Sequence, residues 1–267
     1  MTTWKKAGIL FLIVVMGLMA AACGNKAETT TKTDGKSDTK ADKKILAVTH
    51  AQFPPFEYMS AQGKPEGFDI DIINAIGKEL GWQVEVQDTG FDGALEQVKN
   101  GKAQVAIAAI TIDKKRQQSY AFSDPYFDAK QLIMVPKGSQ IKTIQDIKGK
   151  KVAVQLSTTG ALLAEKILGK GSKDIFQFED LPSAMDELYN KRVDVVIGDN
   201  VPMMEQMAKV SKPGFVTLDD PTIPKESYGI LMQKGNDEMV KQVNDALKKI
   251  KENGTYDEIY KKYFSQK

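Results

Sequence analysis

Apolar positions along this chain fall into short buried runs that alternate with stretches of helical spacing. Residues 45–49 form a compact apolar run of strand length. Over 69–80, Ile72, Ile73, Ile76 and Leu80 share one helical face, and Gly81 stands where a helix C-terminus favours glycine. Trp82, Val84 and Val86 then alternate as in a strand. Asp92 is placed to cap a helix carrying Leu95 and Val98, and Gly101 closes that helix before a strand over 104–109. The order β-α-β-α-β predicts a parallel sheet.

A similar unit recurs downstream. The pattern gives a strand over 151–155, helices over 159–168 and 182–190, a strand over 193–197, and a Met-rich helix over 202–210. Short apolar strands over 131–135 and 228–232 are bounded by Pro, Gly or Lys. Two amphipathic helices follow, over 237–253 with Val240, Val243, Leu247 and Ile250, and over 255–263. Two α/β lobes are the economical reading.

The amino terminus changes the picture of where this chain works. Lys5 and Lys6 precede an uncharged stretch over 7–22, shorter than the roughly 20 residues of a membrane-spanning helix. This is expected to be an export signal. The run Leu18-Met-Ala-Ala-Ala-Cys23-Gly24 resembles a bacterial lipobox, with Ala20 where leucine is usual. Cys23 is the only cysteine, so an intramolecular disulfide is excluded and lipidation accounts for the odd thiol. Residues 24–44 are polar and lack a core-forming pattern, as expected of a flexible tether. Their lysines are interleaved with Glu28, Asp34, Asp38 and Asp42, which argues against a nucleic-acid arm. With 37 basic and 35 acidic residues, the whole chain places no strong electrostatic demand on a partner.

Five segments carry candidate chemistry: Phe53-Pro-Pro-Phe56-Glu57-Tyr58, Gly67-Phe-Asp-Ile-Asp71, Thr111-Ile-Asp-Lys-Lys-Arg116, Phe122-Ser-Asp-Pro-Tyr126 and Asp194-Val-Val-Ile-Gly-Asp199. Together, over 45–264, they resemble the extracytoplasmic solute-binding proteins of polar amino acid ABC transporters, bacterial family 3. The resemblance implies an α/β, two-lobed periplasmic-binding-protein-like fold of type II. Each lobe would be a mostly parallel sheet flanked by helices, with two hinge crossings. Lobe 1 would comprise 45–134 and 230–267, and lobe 2 would comprise 135–229.

The resemblance also implies a site. Arg116 matches an arginine that forks onto a ligand carboxylate, a geometry that lysine cannot reproduce. Asp199 matches the acceptor of the ligand ammonium, supported by the Thr111 hydroxyl and the Ala109 carbonyl. Thr159 matches a contact to the carboxylate from the second lobe, and Phe53 and Phe91 match the walls around the ligand side chain. His50, the only histidine, stands where many relatives for cationic amino acids carry aspartate. Each residue also has an ordinary structural reading: a surface ion pair for Arg116, helix capping for Asp199 and Thr159, core packing for Phe53 and Phe91, and a satisfied strand end for His50. Phe56, Phe68, Phe122 and Tyr126 read as packing residues.

The implied protein is a monomer, lipid-anchored at Cys23 on the outer face of the cell membrane, that delivers a free amino acid to a membrane permease. Glutamine is ranked first, then histidine or arginine, because His50 in place of aspartate weakens a cationic choice. No cofactor, metal or catalytic residue is expected. An exported enzyme on the same scaffold is the competing class, with His50 and Glu57 as its acid or base candidates. A sensory module is a third class, although no second apolar span follows Phe264.

Overall fold

The computed structural model describes residues 43–265. The export signal, Cys23 and residues 24–42 of the expected tether lie outside the described residues, while Lys43 and Lys44, expected in the tether, open the first strand instead. The chain runs through β1 (Lys43–Thr49), the small strands β2 (Gln52–Phe53), β3 (Glu57–Met59) and β4 (Pro65–Glu66), then α1 (Phe68–Leu80), β5 (Trp82–Asp88), α2 (Phe91–Lys99) and β6 (Val105–Ala106). It continues through the single-turn α3 (Arg116–Ser119), β7 (Tyr120–Phe122), β8 (Phe127–Pro136), β9 (Val152–Gln155), α4 (Thr159–Leu168), β10 (Ile175–Phe178), α5 (Leu181–Tyr189) and β11 (Val195–Asp199). It ends with α6 (Asn200–Val210), β12 (Phe215–Leu218), β13 (Lys225–Tyr228), β14 (Leu231–Gln233), α7 (Asp237–Glu252) and α8 (Thr255–Phe264).

Two sheets organise these elements, in the orders β5-β1-β6-β14-β7 and β10-β9-β11-β8-β12, with β13 pairing β8. Helical crossovers after β1, β5, β9 and β10 make β5-β1-β6 and β10-β9-β11 parallel. Each sheet is then completed by antiparallel strands, β14 and β7 in the first and β8 and β12 in the second. The sheets are therefore mixed. β8 carries the chain from the first sheet into the second, and it is flanked by β13, from which the chain returns to β14.

The helix predicted over 69–80 is α1, whose Ile72, Ile73 and Ile76 are fully buried. Gly81 ends it in the left-handed conformation at φ 68°, donating its N–H to the last-turn carbonyls. Two local expectations shift. α2 begins after Gly90 rather than at a capping Asp92, because Gly90 adopts φ 72° and leaves Asp92 in the first turn, where its charge favours the helix dipole. The strand expected over 104–109 pairs only at Val105–Ala106, and Ala109 at φ 47° breaks the extended run.

The residues that read as packing are largely just that. Phe56 and Phe68 are fully buried and meet Phe127 and Phe264 at ring-centroid distances of 4.7 and 5.0 Å. Burial of each ring is worth roughly 1.5–3 kcal/mol. The C-terminal helix α8 is further tied to α1, since Lys262 and Tyr263 both reach the Asp71 carboxylate, at 2.7 and 2.8 Å. These aromatic contacts fix the first sheet's helices beside the crossing strands.

Candidate functional site

All eight candidate residues, His50, Phe53, Phe91, Ala109, Thr111, Arg116, Thr159 and Asp199, line one narrow cleft. Glu57, Ala108, Gln155 and Thr158 complete its wall. The first sheet contributes its strand ends and loops, and the second contributes the β9–α4 turn and the end of β11. This is the carboxyl edge at which α/β sheets place ligands.

Arg116 opens α3 and is only 8% exposed. Its Nη1 donates to the Thr111 carbonyl at 2.9 Å and its Nη2 to the Ser157 carbonyl at 3.0 Å, so the guanidinium spans from the first half to the second. Nε lies 3.3 Å from Asp113, and the group sits 5.5 Å from the Phe91 ring centroid. Burial lowers its pKa, while Asp113, Asp199 and Glu226 oppose that shift. The arginine is thus a buried cation rather than a surface ion pair.

Asp199 ends β11 and is 6% exposed. It occupies the N-cap position of α6 without a side-chain capping bond. Its Oδ1 instead accepts from Gln131 Nε2 and from the Tyr228 hydroxyl, each at 2.9 Å. Burial and the neighbouring Glu226 carboxylate push its pKa up to about 7 against these hydrogen bonds and Arg116. Buried negative charge here has no direct cationic partner among the described contacts.

The threonines divide their labour. Thr158 caps α4, accepting from Ala161 N at 3.3 Å, which frees Thr159 from that task. The hydroxyls of Thr111 and Thr159 both donate to Glu226 Oε2, at 3.0 and 2.9 Å. Gly160 is required beside them, because a Cβ there would meet Gln131 Oε1 at 2.9 Å and the Ile197 carbonyl at 3.1 Å. Ala109 is held in its left-handed conformation by an N–H bond of 2.8 Å to Asp69 Oδ2, which offsets backbone strain at the cleft.

Glu57 and Asp69 form a buried carboxyl pair behind this strained turn, 1% and 0% exposed. Burial is the main cause raising both pKa values, Asp69 to about 6, and the neighbouring Asp69 carboxylate adds to the rise at Glu57. Tyr126 also donates to Asp69, at 2.7 Å.

At the other end of the cleft His50 is 6% exposed, and its Nδ1 lies 3.3 Å from Gln155 Nε2. An amide nitrogen only donates, so Nδ1 is the acceptor and the neutral ring carries its proton on Nε2. Burial lowers the pKa of this imidazole despite Asp88, Asp180, Glu179 and Asp92. The contact crosses the cleft, as does the Arg116–Ser157 bond.

Sequence reasoning missed Gln131, Gln155, Tyr228 and Glu226. Gln131 and Gln155 stand at the ends of apolar runs, and a polar residue there was the available signal. Glu226 gave no such signal. No group of three or more metal-binding side chains and no helix long and apolar enough to cross a membrane occurs among the described residues.

Comparison with known proteins agrees with this geometry. A family model described as bacterial extracellular solute-binding proteins, family 3, matches residues 45–266. A probable histidine-binding protein of Neisseria gonorrhoeae is 35% identical over 98% of this chain and 96% of its own. The ABC transporter glutamine-binding protein GlnH of Bacillus subtilis is 33% identical over 98% of each chain. The crystal structure of the arginine-, lysine-, histidine-binding protein ArtJ of Geobacillus stearothermophilus is 41% identical and superposes with a TM-score of 0.80, covering 84% of this chain and 96% of that one. With the family model spanning both sheets and the crossings between them, this chain belongs to the bacterial extracellular solute-binding proteins, family 3.

Proposed function

We propose that this protein binds one free polar α-amino acid in the cleft and presents it to the permease of an ABC transporter. The observation that carries the reading is the presence, in one cleft, of the buried Arg116 cation and the buried Asp199 carboxylate. Arg116 suits the ligand carboxylate, and Asp199 with the Ala109 carbonyl suits the ammonium. Desolvating these charges is tolerable when each meets its opposite, so the ligand stabilises the closed arrangement. The relatives named for histidine, glutamine and arginine support an amino acid ligand.

Glutamine remains first, because the neutral His50 has an N–H donor suited to a carboxamide oxygen. One observation favours a cationic side chain instead: Asp88, Asp180, Glu179 and Asp92 all act on His50. Binding without turnover is part of the proposal, since His50 is engaged with Gln155 and Glu57 is buried beside Asp69. Acylation of Cys23 would hold the monomer beside the permease outside the cell, with 24–42 as tether.

A thermal-shift panel of the 20 common amino acids tests this, because a ligand that binds only the folded state raises apparent stability. A saturating shift with glutamine, histidine or arginine is expected. No saturating shift with any amino acid would overturn the reading.

A further inference from the structure

Glu226 lies on β13, one of the two strands that cross between the sheets, and does not itself line the cleft. In the β8–β13 ladder it pairs with Ala129, and Tyr228 pairs with Phe127. Side chains two residues apart share a face of a strand, so Gln131, Glu226 and Tyr228 stand on one face of the crossing ribbon. That face meets Asp199, Thr111 and Thr159.

A single oxygen of Glu226 gathers three donors. Oε2 accepts from Thr111 Oγ1 at 3.0 Å, from Thr159 Oγ1 at 2.9 Å and from Gln131 Nε2 at 3.2 Å. Gln131 Nε2 also approaches Asp199 Oδ1 at 2.9 Å and Thr159 Oγ1 at 3.1 Å. Turning the amide over would set its oxygen against two carboxylates, so the surroundings dictate its orientation.

The chemical consequence concerns polarity. A hydroxyl has one proton to give, and both threonines give theirs to Glu226. What remains for anything in the cleft is lone pairs, which accept from N–H groups and repel carboxylate oxygens. Thr111 is therefore suited to an ammonium. The carboxylate contact implied for Thr159 has to come from its backbone N–H in the first turn of α4, where such groups lack helical partners.

We propose that Glu226 is a positioning residue that orients the Thr111 and Thr159 hydroxyls as acceptors, and thereby defines the ammonium end of the amino acid site. The inference rests on the amino acid reading above and assigns a role to a residue on the crossing ribbon. It also joins the two halves: one carboxylate holds a threonine from each, and it sits on a strand that crosses between the sheets.

The test compares the free L-amino acid that gives the largest thermal shift with its counterpart lacking the α-amino group. For L-glutamine this is 4-carbamoylbutanoic acid, and for L-arginine it is 5-guanidinopentanoic acid. Calorimetry on the wild-type chain and on Glu226→Ala should show the preference for the amino acid falling at least tenfold in the variant, with Glu226→Asp restoring part of it. An unchanged preference, or an equal loss of affinity for both ligands, would mark Glu226 as merely structural and overturn the proposal. Should Glu226→Ala not fold, Thr111→Val decides the matter by the same ratio, since it removes one of the oriented hydroxyls and keeps the carboxylate. If the wild type binds none of the 20 amino acids, the functional reading itself falls and this inference with it.

Discussion

Replacing Asp199 with asparagine separates what this carboxylate does for binding from what it costs the fold. Asparagine keeps the shape and an Oδ1 able to accept from Gln131 Nε2 and Tyr228, the two bonds seen at 2.9 Å. Only the charge is lost. In the folded protein, burial raises the Asp199 pKa from 3.8 to about 7, so the native state binds its proton more tightly than the unfolded chain does. Stability must then fall as pH rises between these values, because ionisation favours the unfolded state. The span of about 3 pKa units, at 1.36 kcal/mol each, sets an upper bound of about 4 kcal/mol of destabilisation by Asp199 above pH 7. Asp199→Asn should therefore match the wild type near pH 4 and exceed it by up to that amount at pH 8. Ligand binding moves the other way. Loss of a charge-assisted hydrogen bond costs roughly 1.5–3 kcal/mol, or about ten- to a hundredfold in affinity for the amino acid. Urea unfolding at pH 4.5 and 8, with calorimetric titration of the ligand, reads both effects. A variant less stable than wild type at pH 8, with affinity reduced less than fivefold, would refute the assignment of Asp199 as an uncompensated buried charge awaiting an ammonium.

Arg116→Ala should weaken amino acid binding by about 3–5 kcal/mol, at least a hundredfold, because it leaves a buried carboxylate of the ligand unpaired. Less than a fivefold loss by calorimetry would remove Arg116 from that role. His50 should remain neutral at pH 7 with its proton on Nε2, and nitrogen NMR of the ring should show titration only below the ordinary pKa of 6.5. A titration above that value, or a proton on Nδ1, would contradict the burial and the Gln155 contact from which this follows.

The sequence by itself determined the elements and much of the site's composition. Apolar spacing located α1 because one face had to be buried, and the same logic found α7, whose Val243, Leu247 and Ile250 are packed in the core. Three of the five quoted segments supply residues that line the cleft, and the other two supply Asp69 and Tyr126 behind Ala109, since their chemistry is carried by residue type at the ends of strands and helices. What the tertiary structure alone decided is how those groups are wired. The mixed character of the sheets comes from β14 and β8 pairing with strands far away in sequence, which local periodicity does not encode. Glu226 stood unnoticed among polar neighbours, and only the antiparallel register of β13 against β8 turns it toward both threonines. The Asp69 bond to Ala109, the buried Glu57 and Asp69 carboxyls and the His50–Gln155 contact likewise join residues remote along the chain. Hydrogen-bond direction and the ionisation of buried groups depend on distance and desolvation, and both are created only when the chain folds.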